Sequence, residues 1–153
     1  MPTSTSGTFT FADWEESPVG AADASPRLAR AQVRNTFTGG IEAARTHCAY
    51  TIAYAAGNSG SFAGMELVAG SVGGRTGAFV LEERGTFDAS GTTRCTFEVV
   101  PGSATGDLAG LTGSGSFTAR HGEASVAYAF THDLPRAGRR PAQPAGRATC
   151  EGP

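Results

Sequence analysis

The sequence predicts an all-β fold, a single closed antiparallel barrel of about eight strands, from three observations. Glycine is abundant, with 22 residues in 153, so few stretches of helical length are free of Gly or Pro. Apolar and polar residues alternate with a period of two along most of the chain. The strands follow one another through turns of hairpin length, which favours antiparallel neighbours. Eight such strands close readily into a barrel, and a two-sheet sandwich is the alternative.

The first half of the chain contains four predicted strands. Thr8–Trp14 reads TFTFADW, with its two phenylalanines on one face. Ala29–Phe37 is the clearest strand, because small or apolar residues alternate with cationic and polar ones. Ile41–Ala55 is long enough for one bent strand. Ser61–Val72 follows the turn NSG and carries apolar residues on both of its faces.

The second half adds four more predicted strands. Gly77–Phe87 and Thr93–Val100 are joined by the turn DASG. Pro101–Gly110 is a glycine-rich loop with room for a single helical turn. Leu111–Ala119 and Glu123–Thr131 complete the set, so the strands follow one another in sequential order.

Composition divides the chain into residues 1–134, a β-barrel domain, and residues 135–153, a disordered tail rich in Pro and Arg. The whole chain has a net charge of −2, and all of its 12 basic residues are arginine. Residues 133–153 carry four Arg and two acids, so the rest of the chain is at −4. An acidic barrel argues against nucleic acid as a partner.

The N-terminal segment has neither a charged region nor an apolar core of the kind that signal peptides have, and no segment reaches the ~20 apolar residues of a membrane span. We therefore expect a cytoplasmic protein with no membrane partner. The three cysteines are then expected to be reduced thiols. No CxxC or HxxxH pair predicts a metal site, and no phosphate-binding GK[ST] predicts a cofactor.

Two glutamates are the candidate catalytic residues. Glu66 lies mid-strand on the face of Phe62 and Val68, so an inward orientation would desolvate its carboxyl group and raise its pKa. Such a group suits general acid or base catalysis; the alternative is a surface or structural Glu. Glu42 shares strand parity with Tyr50 and is a candidate partner that would face Glu66 across the barrel as an acid/base pair. The alternative is a solvent-facing Glu near a strand start.

Aromatic side chains on the same strand faces are the candidate ligand-binding residues. The single Trp either walls a ligand pocket or caps the barrel. The turn arginine in GGRTG is a candidate for clamping an anionic group at a barrel mouth, unless it is an ordinary surface residue. The predicted ligand-binding set is Trp14, Tyr50, Tyr54, Phe62, Arg75, Phe97 and Tyr128.

Four segments resemble a bacterial domain-of-unknown-function family of small β-barrels. They read TFTFADWEESP, VRNTFTGGIEA, FAGMELVAGSVGGRTGAFVLEERGTFD and EVVPGSATGDLAGLTGSGSF. The resemblance covers roughly Thr8–Leu134 and implies a barrel similar in architecture to that of allene oxide cyclases. Relatives of these barrels bind apolar small molecules, and several cyclise or isomerise them. A peptidase-like role with acidic catalytic residues has also been proposed within the barrel family.

Three functions stay open at this point. The first is a cofactor-independent cyclase or isomerase that acts on a largely apolar small molecule inside the barrel. The second is a non-catalytic module that binds a ligand or pairs with itself, because apolar residues on both faces of the Phe62–Val68 strand suggest a homodimer. The third is an acid-dependent, aspartic-peptidase-like barrel that uses Glu42 and Glu66.

Overall fold

Antiparallel strands make up most of the computed structural model, which describes residues 2–135 of the chain. Short 3₁₀ turns at Ala56–Asn58 and Gly106–Leu108 interrupt the strands. Within the described residues there are nine strands, namely β1 (Thr3–Val19), β2 (Arg27–Gly39), β3 (Ile41–Glu42), β4 (His47–Ala55), β5 (Ser59–Val72), β6 (Arg75–Phe87), β7 (Thr92–Val99), β8 (Thr112–Arg120) and β9 (Val126–Asp133).

Eight of these strands form a closed barrel in sequential order. Every strand pairs with the next one along the chain, except that β2 pairs with β4. The pairing of β1 with β9 closes the ring, from Thr3 opposite His132 to Phe9 opposite Val126. The short strand β3 lies outside the ring and pairs with β5. The predicted all-β, eight-stranded antiparallel barrel is therefore confirmed, and the sandwich alternative is wrong.

The segment expected to be one bent strand from Ile41 to Ala55 is broken in the structure. Arg45 adopts a positive φ of 52°, and Ala43 forms an isolated bridge with Phe37. The break changes which residues point inward, because Ile41 and Ala43 are buried on one side of it and Cys48 on the other. Residues before the break therefore do not share a face with residues of the same parity after it.

Glu42 shows the consequence of this break. Its side chain is exposed, and its Oε2 accepts a hydrogen bond of 2.8 Å from the backbone N–H of Gly39. The candidate pairing of Glu42 with Glu66 inside the barrel is wrong, because the two side chains lie on opposite sides of the sheet. The structure instead shows the alternative, a solvent-facing Glu near the start of a strand.

One half of the barrel interior is packed solid. Aromatic rings interlock there, with centroids of Phe9 and Phe37 5.2 Å apart and of Phe37 and Tyr128 5.5 Å apart. The Tyr128 hydroxyl ties this end together, since it accepts from Ile41 N and donates to Thr38 O, both at 2.8 Å. Burial of so many large side chains makes this half the main hydrophobic core.

The other half is lined by smaller inward residues on β2. Ala29 and Ala31 are fully buried there and form a separate small cluster with Ile52. Alanine side chains cannot fill an eight-stranded barrel, so this half keeps open space. Among residues 2–135, no helix is long and apolar enough to cross a membrane. Of the predicted tail, residues 135–153, all but Pro135 lies outside the described residues.

Candidate functional site

An apolar cavity of about 490 Å³ occupies the end of the barrel where β4 ends and β5 begins. Its volume is that of a small-molecule pocket. Phe11 and Trp14 line it and are 53% and 48% exposed, so the cavity opens to solvent between them. The residues around it are Phe9, Phe11, Trp14, Val33, Asn35, Tyr50, Ile52, Tyr54, Phe62, Phe87, Asp88, Gly91, Thr93, Phe117, Ala119, Arg120, His121, Gly122, Glu123 and Val126.

A bulge in β1 turns Trp14 toward this cavity. The register of β1 against β2 shifts between Ala12 and Glu15, and Asp13 has a positive φ of 61°. The extra residue changes the inward-facing parity, so that Phe11 and Trp14 both line the cavity although they are three residues apart. The indole ring then lies 6.5 Å from the ring of Tyr50.

A polar network holds the mouth in place. Glu16 accepts hydrogen bonds from Trp14 Nε1 at 3.2 Å and from the Tyr54 hydroxyl at 2.5 Å. The guanidinium carbon of Arg27 lies 3.8 Å from the Tyr54 ring centroid on the same rim. Burial, and then the hydrogen bond to Glu16, raise the pKa of Tyr54. The aromatic walls are thus oriented by hydrogen bonds rather than by packing alone.

Two buried glutamates form an acid pair beneath the cavity. Glu66 on β5 is 1% exposed, Glu83 on β6 is 3% exposed, and a carboxyl oxygen of one lies within 4.8 Å of a carboxyl oxygen of the other. Glu66 Oε2 also accepts from Asn35 Nδ2 at 2.8 Å and from the Thr46 hydroxyl at 2.5 Å. Glu83 Oε1 accepts from the Tyr50 hydroxyl at 2.8 Å. We call these two glutamates the acid pair.

The environment of Glu83 favours its protonated form. Burial is the main cause that raises the pKa of Glu83, and the neighbouring Glu66 carboxyl group raises it further. Burial and the charge of Glu83 also raise the pKa of Tyr50. Glu83 therefore holds its proton to higher pH than an exposed carboxyl group does, in hydrogen-bond contact with the Tyr50 hydroxyl.

Two buried thiols lie near the acid pair. Burial raises the pKa of both Cys48 and Cys95, so both are thiols and not thiolates at neutral pH. Cys48 Sγ lies within 4.8 Å of carboxylate oxygens of Glu66 and Glu83, and these are atom types that bind metals. Donors from the neighbouring side chains already satisfy both carboxyl groups, and we assign no ion to them.

Two residues connect the cavity with the acid pair. Asn35 and Tyr50 line the cavity, and each donates a hydrogen bond to one member of the pair. A molecule in the cavity would meet their remaining polar atoms, together with polar side chains elsewhere in the lining such as Arg120 and Glu123. The cavity thus has apolar walls and a small polar floor that is coupled to titratable groups.

The structure brings together four of the seven predicted ligand-binding residues. Trp14, Tyr50, Tyr54 and Phe62 all line the cavity, and the ring of Phe62 lies 5.0 Å from that of Tyr50. Their inward orientation follows from the alternation of β4 and β5. Whether they bind a ligand stays a prediction.

The other three predicted residues lie away from the cavity. Phe97 is buried in the solid half, with its ring centroid 6.0 Å from that of Phe130. Tyr128 uses its hydroxyl to hold the closed end, as described above. Arg75 lies at the opposite end of the β5–β6 hairpin, where its guanidinium donates to the carbonyl of Pro135. Strand parity predicts that Phe97 and Tyr128 point inward, and the turn sequence predicts that Arg75 lies at a barrel mouth. Neither signal predicts which end of the barrel each residue occupies.

Sequence reasoning missed Glu83, Asn35 and Thr46 as members of the site. Glu83 continues the inward alternation of Phe79 and Leu81, so its position in the segment FVLEERG was a usable signal. Asn35 likewise stands on the inward face of β2, where a polar residue interrupts an apolar series. Thr46 follows the break after β3, and nothing in the local pattern indicates its inward orientation.

Comparison with known proteins gives a family and similar solved structures. A family model described as protein of unknown function (DUF3224) matches residues 5–132. The crystal structure of a protein with unknown function from the DUF3224 family of Shewanella oneidensis MR-1 is similar to this chain, with a TM-score of 0.70 and 29% sequence identity. The alignment covers 89% of this chain and 100% of that one. No curated protein matches.

Proposed function

This chain belongs to the DUF3224 family of proteins of unknown function, and from its own site we propose that it binds a largely apolar small molecule in the barrel cavity and isomerises or cyclises it. The family expected from the sequence is the one that the comparison gives. Its printed description names no activity, so the proposal depends on the cavity and on the acid pair. The architectural likeness to allene oxide cyclases stays a prediction.

One observation carries the proposal. Tyr50 lines the cavity and also donates a hydrogen bond to Glu83, whose carboxyl group lies within 4.8 Å of that of Glu66. A cavity built only for binding needs no titratable group at its floor. Coupling of an apolar pocket to a carboxyl group with a raised pKa is an arrangement that suits acid–base chemistry near neutral pH.

The proposed step is a proton shift that leaves the substrate's overall composition unchanged. The Tyr50 proton passes to one atom of the bound molecule while the proton held by Glu83 passes to the Tyr50 oxygen. A C–H or O–H proton at a different atom of the substrate then returns to Glu83 along the same path, so that a double bond moves or a ring closes. No oxidant or cofactor is needed, and confinement in the cavity supplies the reactive conformation.

Trp14 makes the binding part of the proposal directly testable, because it is the single Trp of the chain and lies at the cavity mouth. Titration with neutral apolar compounds is expected to change its fluorescence. A panel with no effect at any concentration up to the solubility limit would remove the binding proposal. Filling the cavity by Val33→Phe, at a lining residue, is expected to abolish the change, whereas the exposed substitution Gln32→Phe on the same strand is not.

The catalytic part is tested by Tyr50→Phe, which keeps the ring and removes the hydroxyl. The variant is expected to bind compounds as before and to lose turnover by about 10²- to 10⁴-fold. Tyr54→Phe is the matched control, since the Tyr54 hydroxyl contacts the exposed Glu16 and not the acid pair. Equal turnover in the two variants would leave a binding protein without acid–base catalysis.

A non-catalytic ligand-binding module is the second candidate. The observation that favours it is the full satisfaction of the acid pair, since Asn35, Thr46 and Tyr50 all donate to it. Binding without conversion of any bound compound would support this function. The burial of both carboxyl groups argues against the peptidase-like alternative, because a peptide bond needs direct access to them. Self-cleavage at low pH that Glu66→Gln abolishes would revive it.

A further inference from the structure

The outer face of β2 and β4–β7 carries two neighbouring rows of exposed side chains that cross the strands. The strand register aligns the first row, which we call the Arg84 row: Arg30, Thr51, Ala63, Arg84 and Thr96. It aligns the second row, which we call the Glu82 row: Gln32, Ala49, Met65, Glu82 and Glu98. Corresponding members of the two rows are two residues apart on each strand, about 7 Å.

Charge is segregated between these rows. The Arg84 row contains arginines and no acid, and the Glu82 row contains glutamates and no base. Glu82 and Glu98 lie directly opposite each other on β6 and β7. Like charges in that position destabilise a sheet, and within residues 2–135 neither glutamate has a salt bridge. Within the part of the chain that the structure describes, Glu82 and Glu98 therefore have no cation to neutralise their charges.

A groove and an apolar ridge are separated on the surface in the same way as the charges. A groove of about 730 Å³ runs along the Arg84 row, and its floor on β4 and β5 consists of small residues such as Ala53, Ser61 and Ala63. Immediately beyond it on β5, Met65 and Leu67 form an apolar ridge and are 52% and 47% exposed. Large apolar side chains at this exposure are a feature of surfaces that become covered.

We propose that this chain forms a homodimer in which the apolar ridge of each copy packs into the groove of the other. A two-fold axis that runs across the strands between the two rows places each row on the other row of the second copy. The Met65–Leu67 ridge of each copy then enters the groove of the other, over Ala63 and Ser61. A two-fold interface requires such reciprocal contacts, because the same patch serves both copies.

The same axis pairs the charges. Arg84 of each copy lies over Glu82 of the partner subunit, and the reciprocal pair forms at the symmetric position. Each guanidinium also comes close to the Glu82–Glu98 pair and supplies its missing cation. An axis parallel to the strands would instead set Arg30 of one copy against Arg84 of the other in the Arg84 row. Shape and charge therefore both favour the axis that runs across the strands. The arginines in the groove also make the Arg-rich segment 136–153 an unsuitable occupant, because like charges repel.

Charge reversal across a two-fold axis gives a stringent test by sedimentation velocity. The wild-type protein is expected to be a dimer at sub-millimolar concentration. Glu82→Arg and Arg84→Glu each set like charges against each other twice and are expected to weaken the dimer by roughly a hundred-fold or more. Combining both substitutions in one chain restores opposite charges and is expected to restore the dimer. Glu15→Arg, an exposed reversal elsewhere on the barrel, is the control and is expected to change nothing.

Mixing the two single variants provides an independent measurement. Each is expected to be monomeric alone, and together they are expected to form a heterodimer, which needs no doubly substituted chain to fold. Circular dichroism and Trp14 fluorescence check that each variant keeps the barrel. A monomeric wild type overturns the proposal, as does a dimer that neither single reversal weakens, or a mixture of the two variants that stays monomeric.

Discussion

The Tyr50 hydroxyl and the Glu83 carboxyl group meet at 2.8 Å, and this hydrogen bond connects an open apolar cavity with a closed acidic interior. Tyr50 is on β4 and Glu83 on β6, so the contact spans the strand that carries Glu66. Gly64, the residue paired with both of them, has no side chain to stand between them. A Cβ there would lie 1.9 Å from the carbonyl oxygen of Ala49, which excludes other residues at this crossing.

The acid pair makes the stability of the barrel depend on pH. Glu83 has a pKa that burial raises above its ordinary value of 4.5, so the folded chain holds its proton to higher pH than the unfolded chain does. The free energy of unfolding therefore falls as pH rises above about 4.5. Glu83→Gln keeps the hydrogen-bonding shape without the proton and is expected to be increasingly more stable than wild type as pH rises.

Thermal unfolding of wild type and of Glu83→Gln between pH 5 and pH 9 measures the difference in stability between the two proteins. Glu15→Gln removes an exposed carboxyl group and is expected to show no pH-dependent difference from wild type. A gap that stays constant across this range would mean that Glu83 is not protonated preferentially in the folded state.

Asn35 is expected to be essential for tolerating Glu66 in the interior. Asn35→Leu removes the donor to Glu66 Oε2 and leaves Thr46 as the remaining partner of that oxygen. A buried acceptor that loses a partner costs about 1–3 kcal/mol, and we expect urea unfolding to show a loss of that size. Gln32→Leu, on the exposed face of the same strand, is expected to cost much less. Equal losses of stability in the two variants would mean that any substitution on β2 destabilises the barrel, and that the hydrogen bond to Glu66 is not the cause.

The fold could be predicted from the sequence because it depends on local patterns. Alternation along Ala29–Phe37 and the turns at NSG and DASG indicate where strands begin and end, independently of the tertiary structure. The break between β3 and β4 could not be predicted in this way. It depends on the left-handed backbone of Arg45 and on the bridge from Ala43 to Phe37, which the finished barrel imposes.

The site was half predictable for the same reason. One strand shows the parity of Glu66 directly. Extending parity across the break points to Glu42 as its partner, whereas the carboxyl group next to Glu66 is that of Glu83 on the next strand. Parity tells which side of a sheet a residue faces, and only three-dimensional register tells which end of the barrel it reaches. Phe97 and Tyr128 face inward as expected and still lie in the solid half.

Gly85 is expected to be required for the cavity wall. A Cβ at this position would lie 2.5 Å from Phe62 Cζ and 2.3 Å from the Arg94 carbonyl oxygen. Gly85→Ala must therefore move both the ring and a neighbouring strand, which costs about 1–3 kcal/mol of stability. The displaced Phe62 ring is also expected to weaken the fluorescence response of Trp14 to apolar compounds. Thr86→Ala, at the next and exposed position, is expected to leave both quantities unchanged.

His132 is expected to set the stability of the barrel at mildly acidic pH. It is 6% exposed, stacks on Phe130 at 5.3 Å, and its Nδ1 has no hydrogen-bond partner within residues 2–135. Burial lowers the pKa of His132 below its ordinary value of 6.5, although the charge of Asp133 acts in the opposite direction. The unfolded chain therefore binds a proton more readily, and the free energy of unfolding falls as pH drops below about 6.5.

His132→Phe keeps an aromatic ring on Phe130 and removes the titration. Its stability is expected to fall less than that of wild type between pH 7 and pH 5, as measured by urea unfolding at each pH. A constant packing cost of the larger ring cancels in this comparison, because only the slope with pH is used. His121→Gln, at an exposed turn, is expected to keep the wild-type slope. If His132→Phe keeps it as well, the acid sensitivity of the barrel arises from other groups.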